Sequence, residues 1–385
     1  MSAANPEPDG RPAVLIVGGG IAGASTAWHL ARRDAGPVVL LEREPALGQH
    51  SSGLNAAILR TLTEDPELTR LARRSAAFLH TPPEGFSEVP LVDPCGLLLA
   101  AAPGDRAGLE ALLAAGAGES RLVAGEELAR LAPHWEARPE AAVHVPGEGR
   151  LDISALLAGF ERGAREAGVA IRTRCAVEEL LVEDGAVTGV RLAGGEELRA
   201  ATTVLAAGGW AGRLGAAAGS RVRLRPTRRH LMVTAPDARV DPRWPVVWTQ
   251  GPDAFYCRPE SGGLLLCACD QETVDPDACH VDADVRERVA ELTAHHLPAL
   301  ADAGAAHLWC GMRTLTRDGR FAVGPDPDLA GLFWVAGLGG HGMVCGPEVG
   351  RIAARLLAEG DAALADEPDA ALLDPARLAG AGTYS

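Results

Sequence analysis

The stretch His307-Leu-Trp-Cys-Gly-Met-Arg-Thr-Leu-Thr-Arg-Asp-Gly319 sets a thiol, Cys310, three residues from a guanidinium, Arg313. The thiol could serve as a nucleophile or as an attachment point. The guanidinium could grip a carboxylate through two parallel hydrogen bonds, fixing orientation as well as charge. Tyr256, one of only two tyrosines, is a candidate hydroxyl donor. Lysine is absent, so all 36 basic residues are arginine, which excludes Schiff-base chemistry, a Walker-type phosphate lysine and a lysine base.

A second cluster lies near the start. Gly18-Gly-Gly20-Ile21-Ala22-Gly23 fits G-x-G-x-x-G, follows the apolar run Ala13–Val17 and opens a helical pattern. Gly18 permits the turn, Gly20 lets backbone approach a pyrophosphate, and Gly23 lets helix and strand pack closely. Glu42 ends the next strand, 19 residues after Gly23, where a carboxylate can accept from ribose hydroxyls. NAD and FAD both use such a turn. The small polar residues that follow, Leu47 to Asn55, suit the diphosphate–ribityl chain of a flavin.

These residues need a scaffold. At 385 residues the chain exceeds what one core usually serves, and 47% apolar content makes it globular. Helical periodicity is expected over 64–80, 105–116, 125–131, from Leu151 to Gly168, over 284–297 and from Pro347 to Glu359. Strands are expected at 13–17, 38–42, 169–172, 176–183, 203–209 and 332–337, with a hairpin turn at Asp184-Gly185. The fold class expected is α/β: a discontinuous Rossmann-type domain over 11–88, 147–220 and 317–365. An α+β substrate domain with a mixed β-sheet is expected over 89–146 and 221–316. Residues 1–10 and 366–385 are expected to be tails.

The net charge of −15, without a basic block, disfavours nucleic acid and anionic membrane as partners. The eight cysteines contain no CxxC pair and the histidines no metal spacing, so no metal is expected. The opening MSAANPEPDGR lacks a signal-peptide pattern, and 13–31 is too rich in glycine and polar residues to span a membrane, which predicts a cytoplasmic protein.

The spans VLIVGGGIAGASTAWHLAR, VVLLERE and GQHSSGLNAA, with WCGMRTLTRDGRFAVG (309–324) and AGLGGHGMVCGPEVG (336–350), resemble the FAD-dependent D-amino-acid oxidase superfamily. IAGASTAWHL, LEREPALGQHSSG, PPEGFSEVPL and FYCRPESGGLL are similar to its bacterial D-arginine-dehydrogenase-like members.

The resemblance implies FAD as cofactor. Its binding residues would be Gly18, Gly20, Ile21, Ala22, Gly23, Glu42, Arg43, His50, Ser51, Ser52, Asn55 and Ala56. Further along the chain they would be Val177, Ala207, Gly208, Trp210, Gly311, Gly339, Gly340, His341, Gly342 and Met343. Arg313, Tyr256 and Arg229 would hold a substrate carboxylate, and His341, replacing a tyrosine, would sit where a titratable group could act on the substrate amine. Ile58, Leu97 and Trp248 depart from the D-arginine-specific pattern and imply a more apolar substrate pocket.

The reaction implied is oxidative deamination of an amino acid, expected to be a D-amino acid with an apolar or uncharged side chain, to a 2-oxo acid by hydride transfer to flavin N5. Alternatives are oxidation of a secondary amine such as sarcosine or proline, of a biosynthetic intermediate, or of a 2-hydroxy acid. A reading of another class is a flavin-binding subunit of a hetero-oligomer. The small-molecule substrate is the one partner expected, with quinone, a dye-type acceptor and O2 all open as electron acceptors.

Relatives that tether flavin do so seven residues before the motif's aspartate, which here is Gly311; Cys310 lies eight before Asp318, on the other side of the strand. Non-covalent FAD and an inert Cys310 are therefore expected, with Gly311 leaving room for the ring or substrate.

Overall fold

The β-branched run Val14–Val17 forms an inner strand of a six-stranded sheet. Its order is Ala322–Pro325, Leu332–Ala336, Thr202–Leu205, Val14–Val17, Val38–Leu41 and Ala170–Arg172. All neighbours are parallel except the first pair. Val17 lies opposite both Leu205 and Leu41, so the carboxyl ends of these strands finish at one level. Both faces are covered, and Leu15, Ile16, Leu40 and Leu205 are fully buried, as a parallel sheet requires. The computed structural model describes residues 12–33, 35–115 and 119–380; the expected tail 1–10 and residues 381–385 lie outside them.

The turn into helix Ile21–Leu30 explains its glycines. Gly18 has φ of 108°, and a Cβ there would stand 2.5 Å from the Ala206 carbonyl oxygen. A Cβ on Gly23 would collide with the Gly18 carbonyl oxygen, so the helix can start this close to the strand only without one.

On one face of the sheet pack helices Ile21–Leu30, Pro66–His80, Ile153–Glu166 and Gly342–Glu359. Trp28, Phe78, Phe86 and Phe160 form an aromatic box between them, with ring centroids 5.0–5.9 Å apart. The other face carries an antiparallel meander of Val177–Glu183, Ala186–Leu192 and Glu197–Arg199. Its first turn is the expected one: Asp184 and Gly185 take φ of 49° and 78°.

The second large sheet is mixed. It runs Glu272–Thr273, Arg225–Thr234, Gly263–Cys267, Tyr256–Glu260, Val246–Thr249, Leu97–Ala100, Ala141–Val145 and Arg121–Ala124, and Ala305–Leu315 also pairs with Arg225–Thr234. Register places Arg229 opposite Gly311 and Thr227 opposite Arg313, and Trp248 opposite Tyr256. Because side chains alternate, Arg229, Gly311 and Arg313 share one face, and that face looks toward the carboxyl ends of the first sheet. A small sheet of Ile58–Leu59, Gly149–Leu151 and Val92–Asp93 connects the two regions.

Two details differ from the sequence reading. The last long helix begins at Gly342, not Pro347, with Cys345 N–H donating to the His341 carbonyl oxygen at 2.8 Å. Proline's fixed φ is itself helical, so Pro347 removes a single donor in the second turn without stopping the helix. The segment after Gly360, expected as a tail from 366, forms helices Asp361–Asp366 and Ala370–Leu373; Asp369 is fully buried and accepts from Arg70 at 2.8 Å and from Arg74. No helix among the described residues is long and apolar enough to cross a membrane.

Candidate active site

The carboxyl ends of the parallel strands and the facing surface of the mixed sheet enclose a cavity of about 580 Å³, of the size and position at which open α/β sheets hold ligands. At one end it is lined by Gly18, Gly20, Ile21, Ala22, Glu42 and Arg43, and by His50, Ser51, Ser52, Asn55 and Ala56. Val177, Ala207, Gly208 and Trp210 close that end. Gly23 does not line it: it sits behind the turn as a packing residue, a correction to its expected place among the contacts.

The donors at this end fit a dinucleotide. Helix Ile21–Leu30 has no acidic side chain in its first turn, and Ser52 Oγ, accepting from Ile21 N–H at 2.9 Å, stands where a phosphate oxygen would be held. Buried Glu42 accepts from Gly19 N–H at 2.7 Å and Glu44 N–H at 2.9 Å; each carboxylate oxygen keeps a lone pair for a hydroxyl. Arg43 packs 4.5 Å over the Trp210 ring, whose Nε1 donates to Asp277 at 2.7 Å, and His50 lies 2.9 Å from Glu44. The second helix N-terminus, at Gly342, also faces the cavity, through Gly339, Gly340, His341, Gly342 and Met343, and it too has no acid in its first turn. Such a terminus stabilises negative charge.

Toward the mixed sheet the lining becomes Arg229, Leu231, Trp248, Tyr256, Gly311, Arg313, Ile58 and Arg60. Arg313 has no ion-pair partner among the described residues; burial and neighbouring Arg229 hold its pKa below the usual arginine range, so an anion here would be strongly welcomed. Its guanidinium carbon stands 2.8 Å from where a Cβ of Gly340 would be, so a side chain there would have to push the guanidinium aside. Tyr256 is buried, which raises its phenol well above the ordinary value and keeps it a donor. Arg229 Nη2 has one neutral partner, Gln271 at 3.3 Å.

Three expectations change. Leu97 does not line the cavity: register puts it on the same face as Trp248 and Tyr256, but it is fully buried in the hydrophobic cluster packed there. Arg60, to which no sequence motif points, does line the cavity, so the substrate end is not simply apolar. Gly311 lines the cavity, but its missing Cβ makes room for the Leu54 carbonyl, which a side chain would strike, rather than for a ligand ring. His341 is pushed down to about 3 by burial and by the charges of Arg60 and Arg313, so it is neutral at physiological pH and cannot act there as a titrating base.

Cys310 faces away from the cavity. It is buried, its Sγ lies 3.6 Å from Cys279 Sγ, and the neighbouring thiol and burial raise its pKa well above the ordinary value. A protonated, inward thiol is a poor attachment point. No group of three or more His, Cys, Asp or Glu among the described residues could hold a metal ion.

This arrangement of dinucleotide cradle and carboxylate-binding face is that of a flavoenzyme, and the chain belongs to the FAD-dependent oxidoreductase (DAO) family, whose sequence model matches residues 13–356. FAD is therefore its cofactor. The chain is 28% identical over 360 residues to the glycine oxidase of Geobacillus kaustophilus, covering 89% of this chain and 92% of that one. Its fold matches that of L-proline dehydrogenase from P. horikoshii with a TM-score of 0.84 at 22% identity, over 97% of this chain and 98% of the other. Iminodiacetate oxidase from Chelativorans sp. BNC1 superposes with a TM-score of 0.74 at 26% identity, over 89% and 95% of the two chains.

Proposed function

We propose that the protein oxidises the Cα–N bond of a small amine bearing an α-carboxylate, giving an imine that water converts to a 2-oxo acid and ammonia. The observation that carries this reading is Arg313: a cavity-lining guanidinium with no ion-pair partner among the described residues, beside the buried Tyr256 and Arg229. Arg313 would take the carboxylate in a bidentate pair, Tyr256 would donate its O–H, and Arg229 would complete the grip. Held at three points, the substrate has one way to present its Cα–H, and positioning is the main catalytic contribution of these side chains. Bound FAD supplies the two-electron acceptor. Neutral His341 can accept a hydrogen bond from the amine without competing for its proton.

A D-amino acid is the first reading of the substrate. A secondary amine is the second, supported by the names of the similar proteins, a glycine oxidase, an L-proline dehydrogenase and an iminodiacetate oxidase. The expectation of an apolar or uncharged side chain is not carried forward, given Arg60. Assays with a dye acceptor over D-, L- and N-alkyl amino acids, with 2-oxo acid and ammonia quantified, test the proposal. Equal yields of both products from D-amino acids support the first reading, while turnover confined to N-alkyl substrates selects the second. Turnover of 2-hydroxy acids alone overturns both.

A further inference from the structure

Arg60 belongs neither to the dinucleotide turn nor to the carboxylate grip, yet it lines the same cavity. Only 8% of it is exposed, and its Nε has no hydrogen-bond partner among the described residues. Leaving a buried guanidinium donor unpaired is costly, so an uncharged residue would serve a purely structural role here better. The guanidinium packs 4.6 Å over the Trp248 ring, and Trp248 in turn stacks on Tyr256 at 4.3 Å, which holds Arg60 against the wall next to the carboxylate site.

Its acidic neighbours do not account for it. Glu64 approaches Nη2 at 3.2 Å, but its side chain is 72% exposed, and pairs with such a partner are weak. Glu148 is close enough to interact, but it does not line the cavity, and one oxygen is committed to Thr61 N–H at 2.8 Å and Thr61 Oγ1 at 2.5 Å. The acids that do line the cavity, Glu42 and Glu178, are at the dinucleotide end. Among the described residues the substrate end thus carries three guanidinium groups, Arg60, Arg229 and Arg313, and no carboxylate. One α-carboxylate satisfies Arg313 with help from Arg229 and leaves Arg60 unmatched.

We infer that Arg60 is a specificity-determining residue that binds a second anionic group of the substrate, so that amino or imino dicarboxylic acids are the preferred substrate class. This rests on the α-carboxylate site proposed above and extends it. A planar fork held against an indole is suited to a carboxylate, whose two oxygens it can meet together.

The test uses binding rather than turnover. Malonate, succinate and glutarate are titrated into the oxidised holoenzyme by calorimetry and flavin absorbance, against acetate, propionate and butyrate. The best dicarboxylate should bind roughly tenfold or more tighter than the best monocarboxylate, the gain expected of one further charge-assisted contact. In Arg60→Gln that ratio should collapse toward one, with Arg60→Lys retaining part of it. Equal wild-type affinities overturn the inference without needing any variant, and so does absence of binding by the dicarboxylates. A preference that survives Arg60→Gln, or a variant that weakens both series equally, also overturns it; the latter would assign Arg60 to the α-carboxylate. None of these outcomes depends on whether an amine is oxidised, so the proposed reaction stands or falls separately.

Discussion

Residue by residue, substrate binding turns on which groups are charged inside the cavity. Removing Arg313 takes away two charge-assisted hydrogen bonds, so Arg313→Ala should lower kcat/KM by roughly 10²–10³-fold in steady-state kinetics. Tyr256→Phe removes one donor and should cost about tenfold in the same measurement. A different residue sets a pH dependence of stability. Burial pushes Glu148 from 4.5 up to about 7, against the pull of its bonds to Thr61 and of Arg60. A carboxyl whose pKa is raised on folding binds more protons folded than unfolded, so its contribution is present below pH 4.5 and is lost as pH rises toward 7. Glu148→Gln keeps an acceptor for Thr61 and never ionises. Denaturant titrations across pH should show the variant gaining up to roughly 3 kcal/mol on wild type between pH 4.5 and 8, and nothing further above that. A flat difference would show that Glu148 stays ionised in the fold.

At the scale of elements, the loop from Leu47 to Ala57 decides how the cofactor is held. Gly311 on the long strand Ala305–Leu315 receives the Leu54 carbonyl in the space a Cβ would need, so Gly311→Ala should displace the loop and release flavin, read as a lower flavin-to-protein ratio after gel filtration. Cys310→Ser, one residue away but facing Cys279, should keep the wild-type ratio, and acid precipitation of wild type should leave all flavin in the supernatant. Flavin that stays in the pellet contradicts this. These elements were unequally legible in the sequence. The dinucleotide turn could be read because its glycines answer a local need, a tight turn and a close helix, that shows in spacing alone. The Arg229–Gly311–Arg313 face could be placed only with the family resemblance, because it depends on strand register between residues 82 apart in the chain, Arg229 and Gly311. Leu97 was misplaced because alternation gives a strand residue's face but not what covers it: it shares the face of Trp248 and Tyr256 yet is buried under its neighbours, while Arg60, just past the short strand Ile58–Leu59, belongs to no motif that spacing could reveal. Pro347 misled because a helix tolerates proline in its early turns.

For the whole molecule, residues of two sheets line one cavity, which has a dinucleotide end with acids and a substrate end with arginines. The central claim is that an amine with an α-carboxylate gives its electrons to bound FAD. Anaerobic titration of the purified yellow protein with paired amino acids, secondary amines and 2-hydroxy acids tests this most directly. The flavin band is expected to bleach with at least one α-carboxylated amine and not with the matching hydroxy acid. Bleaching by hydroxy acids alone, with every amine silent, would contradict it.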